Sequence, residues 1–161
     1  KAIPRMSPEA RNLLTIENDE MGWGLESSLE LEKHCALVLD IHHHWVRTGE
    51  YIQANDDRVK RVIDSWRGVR PTMHYSYSRD EWLSPAYPDG KMHEGIHDMQ
   101  TLLDKGCKKQ KLRAHSDMLP NPAVNEWALT FLPELDIQVE AKNKNLAAEQ
   151  LHDQALKLGL V

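Results

Sequence analysis

Apolar residues fall along the chain in short runs, and each run carries or ends in a polar side chain able to do chemistry. Asn12 to Ile16 reads as a buried strand that stops abruptly in Glu17-Asn18-Asp19-Glu20. Cys35 to Leu39 is a second run, ending in Asp40 and three histidines. Arg70 to Tyr75 is a third short strand with His74 at its end, and Leu135 to Val139 is a fourth that ends in Glu140. Helical patterns lie between them. Ser7 as N-cap and Pro8 at the first helical position open a short helix. Further helices are predicted over Leu25 to Glu32, over Asp56 to Trp66 with Val59, Val62, Ile63 and Trp66 on one face, over Ala123 to Phe131, and over Leu146 to Leu158. Residues 79–112 are the least regular part: Pro85, Pro88 and Asp89-Gly90 precede a helix-like stretch from Met92 to Leu103.

Strand, loop and helix repeated four times point to a parallel α/β fold. Glu17, Asp40, His74 and Glu140 all sit at strand C-terminal ends. In a (β/α) TIM-type barrel those ends gather on one face, where active sites are built. An open doubly wound sheet also binds ligands there, but it is not expected to converge four ligands on one spot. A complete barrel needs about 250 residues, and four βα units are about half of one. The expectation is therefore a single domain over residues 1–161, half a barrel with an irregular insertion at 79–112. Four strands leave two open edges. These call for cover from a second copy in a homodimer, from an N-terminal half, or from the insertion.

Composition narrows this reading. Of 161 residues 40% are hydrophobic and 28% charged, a globular profile. No apolar run approaches the ~18 residues of a membrane span, and Lys1 to Arg11 has no signal-peptide core. Lys1 in place of an initiator Met reads as a processed or cut start. Cys35 and Cys107 read as free thiols of a reducing compartment, so the expected location is cytoplasmic with no membrane partner. The net charge of −5 is opposite to that usual for a nucleic-acid binder, but a carboxylate site stays acidic until its cations arrive.

The candidate chemistry is metal-centred. Asp40-Ile41-His42-His43-His44 puts a carboxylate and imidazoles just past a strand, a donor set suited to Zn, Mn or Fe. Glu17 and Glu140 taken singly read as helix caps or ion-pair partners. On one barrel face they can bridge two cations, as paired-metal phosphodiester hydrolysis requires. His74 and His115 gain weight only from this company. His93-Glu94-Gly95-Ile96-His97 matches the H-E-x-x-H pattern of zinc proteases. Gly95, the nearby charges of Lys91 and Asp98 and the lack of a third ligand favour an unrelated surface helix. The basic run Lys105 to Arg113, with Lys108, Lys109, Lys111 and Arg113, reads as a solvated face or as a grip on a phosphate backbone near His115.

Five segments occur in one order: Leu14 to Glu20, Asp40 to His44, His74-Tyr75-Ser76, His115-Ser116-Asp117 and Asp136 to Lys144. In these the chain resembles the C-terminal half of the UV DNA damage endonuclease family. The resemblance implies a barrel related to endonuclease IV and to the xylose-isomerase-like barrels, with up to three divalent metals. Mn2+ is the first expectation, with Zn2+, Mg2+ or Co2+ as alternatives. It implies Glu17 and Glu140 as shared carboxylates, Asp40 and His74 in one metal's shell, His43 and His115 in another's, and Glu17, Asp40 and Glu140 as the catalytic carboxylates. The implied reaction is hydrolysis of damaged double-stranded DNA 5′ to a UV photolesion, leaving a 3′-hydroxyl. The chain departs from the family in lacking the N-terminal half, in carrying Thr72 where members have lysine, and in a longer segment between His74 and His115. A metal-dependent sugar isomerase or epimerase on the same barrel and a non-catalytic half-barrel fragment stand as alternatives.

Overall fold

The structure is a computed structural model that describes residues 2–161. The chain opens with a 3-10 turn, Ile3–Arg5, and helix α1, Pro8–Asn12, where Ser7 Oγ accepts the N–H of Ala10. Strand β1, Thr15–Glu17, and helix α2, Leu25–Leu29, follow. Strand β2, Ala36–Asp40, runs straight into helix α3, Ile41–Thr48, and α4, Asp57–Ser65, leads to strand β3, Thr72–Tyr75. The insertion carries α5, Asp80–Leu83, a 3-10 turn at Ser84–Ala86, α6, Met99–Asp104, and α7, Lys109–Leu112. Helix α8, Pro122–Leu129, strand β4, Asp136–Val139, and helix α9, Asn145–Lys157, complete the chain.

The four strands form one parallel sheet in the order β1-β2-β3-β4. Side chains alternate across it. Leu37, Leu39, Met73 and Tyr75 face the helices and are fully buried, with Ile16, Ile137 and Val139 packed beside them. Each such Leu or Met burial stabilises the fold by roughly 1.5–3 kcal/mol. Thr15, Glu17, Asp40, His74 and Gln138 alternate with that set and share the other face. Pairing also slides along β2: β1 pairs with Ala36 to Val38, β3 only with Leu39 and Asp40. Stagger of this kind accompanies barrel curvature. Near Leu37, which β3 does not reach, α4 supplies the bonds: the Leu37 N–H donates to Ser65 Oγ at 2.9 Å, and Trp66 Nε1 donates to the Leu37 carbonyl at 2.6 Å.

The insertion is better built than its sequence suggests. Leu83, Ala86, Leu102, Cys107 and Leu112 all enter the core. It leaves at Ser78 and returns at His115, and these two residues form an antiparallel bridge. The expected helix from Met92 to Leu103 is corrected: only Met99–Asp104 is helical. Gly95 takes φ +115, which halts a helix, and Asp98 caps the later one by accepting the Thr101 N–H at 2.8 Å. The surface helix expected for His93 to His97 is therefore absent. His97 is buried, with Tyr77 and Tyr87 hydroxyls on its two ring nitrogens at 2.6 and 2.7 Å. Both cysteines are free and buried.

Candidate metal centre

Asp40 closes β2 and caps α3. Its Oδ1 accepts the His43 N–H at 2.7 Å, so the Asp that ends the strand also starts the helix. Its backbone is held from the side by Asn18, whose carboxamide donates to the Asp40 carbonyl and accepts the Asp40 N–H, both at 2.9 Å. The buried Asn18 thus continues the ladder one rung past the end of β1. Asp40 itself is 0% exposed, and its Oδ2 has no hydrogen-bond partner among the described residues. A buried carboxylate oxygen without a donor is costly and fits a ligand waiting for a cation.

Glu17, Asp40, His74 and Glu140 each offer one ligand atom, all within 4.8 Å of one another. These are the four strand-end residues singled out from the sequence. His74 Nδ1 lies 3.0 Å from Glu17 Oε1 and 3.4 Å from Glu140 Oε1. The Glu17 hydrogen bond and charge raise the pKa of His74 against the effect of burial. Burial opposes charge on Glu17, but the His74 hydrogen bond and the charges of His74 and His43 hold its pKa below the usual carboxylate range. Burial pushes Asp40 up to about 7, with Glu17 and Glu140 repelling a further negative charge. Oxygen and imidazole donors converging with this much negative charge match a divalent-metal site.

His43 adjoins the cluster, its Nδ1 at 3.5 Å from both Glu17 Oε1 and Asp40 Oδ2. The Asn18 carbonyl lies 3.0 Å from the same Nδ1 and can only accept, so Nδ1 carries the proton and Nε2 is left as the donor atom of a neutral ring. Burial works against a charged His43, but Asp40, the Asn18 carbonyl, Glu20 and Glu17 together raise its pKa. His115 is brought in by the Ser78 bridge, its ring centroid 6.2 Å from that of His43. Burial holds its pKa below the ordinary value. The other two histidines of the run face elsewhere: His42 bonds Ser76 and Ser78, and His44 bonds Glu50.

Two residues without a role in the sequence reading belong here. Asn18 positions Asp40, and Glu20, 9% exposed at its side chain, sits 3.6 Å from His43 Nε2 and 3.0 Å from Arg113 Nη1. The acidic run after β1 was the available signal for Glu20. The basic candidates are largely engaged within the protein: Lys109 Nζ donates to the Arg47 carbonyl, Lys111 lies over the Trp82 ring, and Arg113 pairs with Glu20. Lys108 is exposed without an ion-pair partner among the described residues.

A parallel half-barrel with carboxylates and imidazoles gathered at its strand ends defines a class, the α/β barrels with a candidate metal centre on the C-terminal face. The UV-endonuclease UvdE family matches residues 1–159, and the chain belongs to it. It is 25% identical to a UV-damage endonuclease of Neurospora crassa over 158 residues, 91% of this chain and 20% of that protein. With a UV-damage endonuclease of Schizosaccharomyces pombe it shares 28% over 159 residues, 94% of this chain and 22% of that one. The chain thus spans about a fifth of these curated relatives. The crystal structure of SacUVDE is similar in fold, with a TM-score of 0.59 at 21% identity over 92% of this chain and 41% of that chain. No helix among the described residues is long and apolar enough to cross a membrane.

Proposed function

We propose that the chain is the metal-holding half of a DNA repair endonuclease that hydrolyses the backbone 5′ to UV photolesions. Family membership supports the substrate, and one observation carries the chemistry: Glu17, Asp40, His74 and Glu140 offer four ligand atoms within 4.8 Å of one another, and Asp40 has a buried oxygen with no partner among the described residues. Glu17, Asp40, His74 and Glu140 would hold divalent ions, Mn2+ first, with His43 Nε2 and His115 serving a neighbouring one. Bound ions would polarise the phosphoryl oxygen and acidify the attacking water. The chain's own residues do the placing. Asn18 and the α3 cap fix Asp40, and His74 Nδ1 holds the carboxylate of Glu17. Burial of Asp40 keeps bulk water from its carboxylate. The other half of the barrel, from an N-terminal half or a second copy, covers the open strand edges and completes the metal shell. We place the enzyme in the cytoplasm.

The test is metal content by elemental analysis after loading with Mn2+, in the chain and in Glu140→Ala, followed by incision of an end-labelled irradiated duplex. At least one equivalent, lost in the variant, and a cut on the 5′ side of the lesion once the barrel is completed are expected. Equal uptake in the variant, or no uptake of divalent metal even after the barrel is completed, refutes the reading.

A further inference from the structure

The acidic cluster opens directly into a basic groove that the sequence reading did not foresee. It is an open cleft of about 730 Å³ in which Arg79, Lys142 and Lys144 outnumber Glu81 and Glu140, with Trp82 and His115 also in the lining. Glu140 and His115 therefore belong to both the candidate metal centre and this groove. The two lysines follow Glu140 in the chain, and β4 delivers all three to the same end of the sheet. Their backbone is anchored: the Lys142 N–H donates to the Ser116 carbonyl and the Asn143 N–H to the Asp117 carbonyl, both at 3.0 Å. The Lys142 charge is felt at His115, where it disfavours protonation.

These lysines differ from several other cations of the chain. Arg58, Lys60, Arg61, Arg70 and Arg113 each have a carboxylate within 4.0 Å, and Arg79 pairs with Glu81. Lys142 and Lys144 are exposed, with no ion-pair or side-chain hydrogen-bond partner among the described residues. Lys144 is also strained. It has φ +48 and ψ −113, and the Leu146 N–H donates to the Asn143 carbonyl at 3.0 Å. That is the first central position of a type II′ turn, where glycine is the residue that fits. A lysine there costs stability, and strained non-glycine residues of this kind cluster at functional sites. It also precedes the N-terminus of α9, where positive charge is electrostatically disfavoured. Neither local backbone preference nor the helix dipole explains a lysine at this position, whereas an anion in the groove does.

We propose that this groove is a phosphate-backbone subsite: Lys142 and Lys144 bind the DNA strand beside the phosphodiester held at the metal centre. The inference rests on the DNA reading above and adds the residues that hold the strand. It places the grip on the β4 side of the centre, instead of on the Lys108 to Arg113 run, most of whose charges are already engaged within the protein.

The test is binding of a fluorescent duplex by anisotropy across a salt series, in the chain and in Lys142→Gln, Lys144→Gly and Lys144→Asn. Lys33→Gln, before β2 at the opposite pole of the sheet, is the control. Removing one lysine–phosphate interaction lowers the slope of log K against log salt by about 0.9, which is about an eightfold loss of affinity at 0.1 M salt. Both Lys144 variants and Lys142→Gln should show this, and Lys33→Gln should not. Lys144→Gly should also keep or raise the thermal midpoint, because glycine relieves the turn, so weaker binding cannot be ascribed to unfolding. Wild-type binding with an unchanged slope in the Lys142 and Lys144 variants overturns the groove and leaves the DNA reading standing. No binding by the wild-type chain overturns both.

Discussion

His97 fastens the insertion to the rest of the fold, and its environment makes a stability prediction with a definite sign. The Tyr77 hydroxyl donates to the Met92 carbonyl at 3.1 Å, so toward His97 it accepts. His97 therefore carries its proton on Nε2, and the Tyr87 hydroxyl donates to Nδ1. A second proton would have to enter at Nδ1, against the Tyr87 donor, in a site 3% exposed. Burial pushes the pKa of His97 down to about 4, and the charge of His93 adds to this. The folded pKa lies below the unfolded value of about 6.5, so the unfolded chain takes the proton first. Stability from a neutral His97 is thus complete above about pH 6.5 and is lost as pH falls toward about 4. Between about pH 7.5 and about pH 4.5 the loss from this residue works out at about 2.5 kcal/mol, at about 1.36 kcal/mol per pKa unit. Urea unfolding of wild type and His97→Gln at both pH values isolates it, since Glu17, Asp40 and the other histidines titrate in both proteins. The wild type should lose about 2.5 kcal/mol more than the variant across the interval. Equal losses, within about 0.5 kcal/mol, would refute the assignment of His97 as a buried neutral hub.

Two further outcomes follow from the same kind of argument. Asn18→Ala leaves the buried N–H and carbonyl of Asp40 without their side-chain partner, so urea unfolding should report a loss of about 2–4 kcal/mol, and calorimetry should report weaker Mn2+ binding; an unchanged urea midpoint counts against its positioning role. Gly49 ends α3 at φ +80, and an added Cβ would sit 2.9 Å from Met99 Cβ, so Gly49→Ala should cost about 1–3 kcal/mol and lower the thermal midpoint, whereas a neutral result would mean that α6 yields freely.

The strand ends were legible because two independent signals coincide there. An apolar run of strand length fixes where a chain emerges from the core, and a Glu, Asp or His at that point has no packing reason to be present. Glu17, Asp40, His74 and Glu140 all satisfy both conditions, and the family's motifs fall on the same residues. The His93 to His97 segment shows the limit of that logic. Its five-residue pattern says nothing about backbone conformation, and Gly95 at φ +115 removes the helix on which a shared His face would depend. What makes His97 valuable is a pair of tyrosines, one 20 residues before it and one 10, which no local window joins to it. His115 was named by motif, but the bridge to Ser78 that carries it to the centre is a product of the insertion's packing. Net charge carries no information on placement: the acidic total hides Lys142 and Lys144, two cations placed beside the carboxylates.

The two faces of the sheet carry different fractions of the fold's stability. Leu37, Leu39, Met73 and Tyr75 on the helix face are sealed by this chain's own helices and insertion. The other face offers Thr15, Ala36, Val38, Thr72, Asp136 and Gln138 below the strand-end carboxylates and His74, and of these only Val38 is buried. That set is too polar to seal itself and too sparse in large side chains to make the packed layers of a barrel interior. The upper end differs, since Asn18, the α3 cap and the Ser78 bridge assemble Glu17, Asp40, His43, His74, His115 and Glu140 from within the chain. Division of labour follows from this arrangement. The candidate ligands are preorganised by these residues alone, whereas β1 and β4 remain the edges of the sheet among the described residues. On the proposed function, affinity for metal should therefore depend less on completing the barrel than DNA incision would, because incision would need both the centre and a closed, stiff floor beneath it.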